Sequence, residues 1–93
     1  MNKKSNRDPA HIQMDIVVGQ NIRFMRTVKG MTLQRVADHC SVAFRQIQKY
    51  EKGTNGVNSN RLMQLSQFLK VPIIYFFEDY KEFKDVDSSE YTN

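Results

Sequence analysis

This chain has a single cysteine, Cys40, so no internal disulfide can form. No apolar run is long enough to span a bilayer, and none forms the apolar core of a secretory signal. A reducing cytoplasm is the expected compartment, with no membrane partner. No internal repeat is visible. The chemistry-bearing patterns are missing too: there is no CxxC pair, no HExxH and no glycine-rich phosphate loop after a strand. His11, His39 and Cys40 are the usable soft ligands or bases. His39 and Cys40 are adjacent, so on a helix they point about 100° apart, a poor geometry for a shared metal or a Cys–His dyad. Clustered carboxylates occur only after residue 77. Without a catalytic constellation, no enzyme, metal or cofactor is expected.

What is present is a short, basic chain. Ninety-three residues allow one domain with a modest core. The net charge of +4 is divided unevenly. Residues 1–77 hold twelve Lys or Arg and four Asp or Glu, whereas residues 78–93 hold two Lys and six Asp or Glu. A strongly basic folded part favours a polyanionic partner.

Residues 31–53 organise the rest. Thr32 is a good N-cap for a helix whose inner face carries Val36, Ala37 and Cys40. Ser41-Val42 breaks that pattern. A second short helix begins near Ala43, with Ile47 and Tyr50 sharing a face and Gly53 placed to end it. Small inner residues allow the two helices to cross closely, as in a helix-turn-helix whose second helix enters the major groove of DNA. The outward residues suit that role. Arg45 and Lys49 can meet phosphate or guanine, Gln46 and Gln48 donate and accept, and Phe44 can touch a thymine methyl. An ordinary helical hairpin with a solvated polar face fits the same spacing, and the pattern alone leaves both readings open.

Around this centre the chain divides into a basic arm (1–14), a folded domain (15–77) and an acidic tail (78–93). Asp8-Pro9 has the residues to start a turn of helix, with Asp8 as cap, but Asp15 is the firmer start. From there to Lys29 a long helix is expected, with Ile22, Met25 and Val28 inward, Ile16 and Val18 at the edge, and Gly30 closing it. TNGVN, residues 54–58, reads as a loop. Asn58 or Ser59 then caps a helix over about 60–70, with Leu62, Leu65 and Leu69 inward and Arg61 outward. Val71-Pro72 stops it. The following IIYFF, residues 73–77, is too apolar for a free surface: part closes the core, and the remainder is a candidate dimer patch. Tyr80 and Phe83 are placed to extend that packing.

The ordered set Gly19-x-x-Ile22-x-x-Met25-Arg26, Gly30-Met31-Thr32, Val36-Ala37, Val42, Ile47, Tyr50-Glu51-x-Gly53, then Leu62, Leu65, Leu69 and Val71 resembles the lambda-repressor-like (Cro/CI, Xre) helix-turn-helix family. The resemblance covers about residues 15–77. It implies an all-α, compact five-helix domain in a bacterial or phage transcriptional regulator, a repressor, that binds double-stranded DNA in a sequence-specific way and often dimerises; Ile73–Phe77 is the candidate homodimer patch, with a core-closing helix on a monomer as the alternative. It implies base contacts from Phe44, Arg45 and Lys49, with Arg45 foremost. It places Gln46, the helix start at Thr32, and Arg35 at phosphates; Ala43, Gln48, Lys52, Asn55 and Asn58 complete the expected DNA-binding residues, the two asparagines as further phosphate donors. It also implies an ion pair between Arg26 and Glu51. Two positions depart from the pattern: Leu33 stands where the family has a DNA-contacting glutamine, and Ser41 stands where its turn has glycine. Leu33 and Phe44 on the presumed DNA side keep a rival in view, an antitoxin or adaptor-type protein-interaction module on the same fold.

Overall fold

The computed structural model describes residues 8–79. Four α-helices follow one another, α1 (Pro9–Val28), α2 (Leu33–Cys40), α3 (Phe44–Lys52) and α4 (Ser59–Leu69), and a 3₁₀ helix (Ile73–Phe77) closes the chain. The all-α class is as expected; the fifth element is a short 3₁₀ turn rather than an α-helix. The expected packing of Tyr80 and Phe83, and residues 1–7 of the arm, lie outside the described residues.

The first helix starts at Pro9, not at Asp15. The Asp8 side chain accepts a bond from the Ala10 backbone N–H at 2.8 Å, and Pro9 sits at the first helical position, where its missing N–H costs nothing. Residues 9–14 therefore belong to α1 rather than to a flexible arm. Val28, expected inward, is 61% exposed. Spacing of three residues falls 60° short of a full turn at each step, so two steps beyond Ile22 have drifted about 120° off the core face.

The core gathers Val18, Ile22 and Met25 of α1, Val36, Ala37 and Cys40 of α2, Ile47 and Tyr50 of α3, Leu62, Leu65 and Leu69 of α4, and Phe76. Gly19 lets α1 lie directly on α3: a Cβ there would stand 2.1 Å from the Tyr50 carbonyl oxygen and 2.7 Å from that of Glu51. Asn21 holds the closing turn. Its side-chain Nδ2 donates to the carbonyl oxygens of Phe76 at 2.8 Å and Glu78 at 2.6 Å, and more weakly to that of Tyr75 at 3.3 Å.

All four α-helices end the same way. Gly30, Ser41, Gly53 and Lys70 have positive φ. After each, the next backbone N–H reaches back to a last-turn carbonyl: Met31 to Arg26, Val42 to Ala37, Thr54 to Lys49 and Val71 to Ser66. This Schellman arrangement satisfies carbonyls the helix leaves unpaired.

Candidate nucleic-acid interface

The sequence builds the turn between α2 and α3 locally. The Thr32 hydroxyl accepts from the Arg35 N–H at 3.0 Å and fixes the start of α2. Ser41 then takes the left-handed conformation, φ 58°, ψ 43°, and reverses the chain where a glycine would be easier. Ala43 opens α3 in an extended conformation with no side-chain cap. Ile47, Tyr50 and Glu51 turn inward and are buried.

The opposite face of α3 is left open by the described residues. Phe44 is 41% exposed, and Arg45, Lys49 and Lys52 are exposed as well. Gln46 and Gln48 are half-buried at the edges of this face. Thr32 and Arg35 are exposed at the start of α2. Asn55, half-buried, and Asn58, exposed, flank the end of α3. Asn58 is already engaged: its Oδ1 accepts from the Arg61 N–H at 2.8 Å and caps α4, leaving its amide NH₂ for other partners. Leu33 packs partly against the protein's own core.

The structure brings Arg26 and Glu51 together. Arg26 Nε donates to Glu51 Oε2 at 2.6 Å, Nη2 donates to Oε1 at 3.1 Å, and Nη1 donates to the Met31 carbonyl at 2.9 Å. The two side chains are 14% and 7% exposed. One guanidinium thus joins the end of α1, the approach to α2 and the last turn of α3. A two-pronged Arg–carboxylate contact fixes orientation as well as distance.

Arg61, expected outward, folds under instead. Its Nη1 donates to the Cys40 carbonyl at 2.8 Å and to Gln64 Oε1 at 2.7 Å, and Gln64 Nε2 donates to the His39 carbonyl at 3.3 Å. The last carbonyls of α2 thereby find donors, and a cation sits at the negative end of that helix. The His39 ring stacks on Phe68 at 4.0 Å between centroids. Burial pushes the Cys40 thiol pKa up, with the Arg61 charge opposing. Neither Arg61 nor Asn21 gives a signal in the sequence, since each serves carbonyls that only the tertiary fold brings near.

Two short helices crossed over a left-handed turn, the second with its polar face free, define a helix-turn-helix domain. A family model described as a helix-turn-helix domain matches residues 19–82. An uncharacterized HTH-type transcriptional regulator of Sinorhizobium medicae is 50% identical over 66 residues, 71% of this chain and 48% of that protein. An uncharacterized transcriptional regulator in the ATPase CF(0) region of Rhodospirillum rubrum is 42% identical over 66 residues, 71% of this chain and 61% of its own length. The chain therefore spans about half the length of the curated relatives it matches. Two solved structures share the fold. The restriction-modification controller protein C.AhdI from Aeromonas hydrophila has a TM-score of 0.64 and 22% identity, over 68% of this chain and 96% of that one. The clp gene regulator ClgR from C. glutamicum has a TM-score of 0.65 and 24% identity, over 68% and 82%.

The chain belongs to the helix-turn-helix domain family. The lambda-repressor-like resemblance of the sequence is borne out. No helix among the described residues is long and apolar enough to cross a membrane.

Proposed function

We propose that this chain binds double-stranded DNA in a sequence-specific way, as the DNA-reading part of a cytoplasmic transcriptional regulator, a repressor, with α3 in the major groove. One observation carries the reading: the face of α3 holding Phe44, Arg45, Lys49 and Lys52 is not covered by any described part of the chain, while the opposite face is locked into the core. Arg45 meets a guanine edge, Lys49 and Phe44 contact neighbouring bases, and Gln46, Arg35 and the start of α2 at Thr32 hold phosphates. The Arg26–Glu51 pair sets the angle at which α3 is offered.

A homodimer through Ile73–Phe77 belongs to the same proposal. Phe76 is fully buried, but Ile74 is 63% and Phe77 40% exposed, an apolar pair left over after the core is closed. A two-fold dimer reads two half-sites about one helical turn apart.

The adaptor or antitoxin reading draws on the apolar Phe44 and Leu33 at this face. Selection of bound sequences from a random duplex pool separates the two. A DNA reader enriches a defined site, palindromic if the dimer is right, and its affinity falls steeply with salt. An adaptor enriches nothing.

A further inference from the structure

A notch of about 290 Å³ between α1 and the far end of α3 holds one cation, Arg23, that the interface described above leaves unused. Arg23, Arg26, Leu33, Gln48, Glu51 and Lys52 line it. Arg26 is neutralised there by Glu51. Arg23 and Lys52 are both exposed, and neither forms an ion pair among the described residues. The same two cations border a neighbouring depression beside Phe24 and Gln20, so the positive charge spans the junction of the two helices. Lys52 lies seven residues after Arg45, which at about 100° per residue puts both within about 20° around the α3 axis and about 10 Å apart along it. The side of α3 that presents Arg45 therefore runs straight into the notch.

We propose that Arg23, on α1 and outside the two-helix motif, is a phosphate-positioning residue that works with Lys52 to hold a phosphodiester of the strand bordering the groove. A guanidinium suits this role, since its planar fork donates two parallel bonds to phosphate oxygens. Glu51 does not oppose the anion, because both of its oxygens are engaged by Arg26. The inference rests on the DNA-binding reading above, with Arg45 supplying sequence and Arg23 supplying register.

The test uses the full chain as wild type, R23Q, R23K and R45A, titrated against a selected duplex and a scrambled duplex over a series of salt concentrations. Arg23 is exposed, so R23Q is expected to keep the wild-type circular dichroism. R23Q is expected to flatten the slope of log affinity against log salt by about 0.9 on both duplexes, a loss that grows about eightfold for each tenfold dilution of salt. R23K is expected to keep most of that slope, because the charge remains. A wild-type slope for R23Q, or a loss confined to the selected duplex, overturns the proposal while leaving the DNA reading intact. Failure of the wild type to bind any duplex at low salt overturns both.

Discussion

Asn21 is buried, and its amide answers the backbone carbonyls of the closing 3₁₀ turn. Asn21→Leu removes the donor that serves the Phe76 and Glu78 carbonyls, and chemical denaturation is expected to show a loss of ~1–3 kcal/mol. Ser41 works the other way. Its left-handed backbone is strained for any residue with a Cβ, so Ser41→Gly is expected to stabilise the fold by ~0.5–1 kcal/mol in the same assay. The departure from glycine was legible in the sequence, and so was the pairing of Arg26 with Glu51 through resemblance. A double-mutant cycle on R26A and E51A is expected to give strongly non-additive losses, with either single change costing up to ~3–5 kcal/mol. Cys40 adds a pH dependence. Burial raises the thiol pKa in the folded state, so folding favours the protonated form. That contribution is complete below the unfolded thiol pKa of about 8.5 and is lost as pH rises through the folded value. Alkylation of Cys40 at neutral pH is expected to be slow until the protein is unfolded.

At the scale of elements, the apolar spacing of α2, α3 and α4 was enough to place each of them within a residue or two. Thr32 caps α2 as expected, Asn58 rather than Ser59 caps α4, and α3 begins directly after Ala43. The start of α1 was harder. Residues 9–14 are all exposed, so no buried stripe marks them, and only the Asp8-Pro9 cap speaks for a helix. Arg61, expected outward, stands at the edge of the buried stripe, and the carbonyls that draw it in belong to the end of α2. The contact between α1 and α3 depends on the absence of a side chain at Gly19. Because a Cβ there meets backbone oxygen rather than a movable side chain, Gly19→Ala forces the helices apart. A loss of ~1–3 kcal/mol or more is expected, with weaker duplex binding because α3 is displaced.

At the scale of the whole molecule, charge is the organising feature. Through residue 77 the chain is markedly basic, and the buried Arg26–Glu51 pair engages neither Arg23 nor the cations of the α3 face. Composition shows this imbalance, although only the fold brings Arg23 beside Lys52, which helical spacing puts on the Arg45 side of α3. The proposed dimer patch has its own check. Ile74→Asp combined with Phe77→Asp is expected to leave the helical content unchanged and to shift sedimentation from dimer to monomer. Affinity for a palindromic site should fall with it, while affinity for a half-site should not.

The claim that α3 reads base edges through Arg45 is tested most directly by comparing wild type and Arg45→Ala on the selected duplex and on a scrambled duplex of equal length at one salt concentration. A lost bidentate contact to guanine is expected to cost ~1–3 kcal/mol on the selected site and far less on the scrambled one. Equal losses on the two duplexes, or none on either, would contradict it.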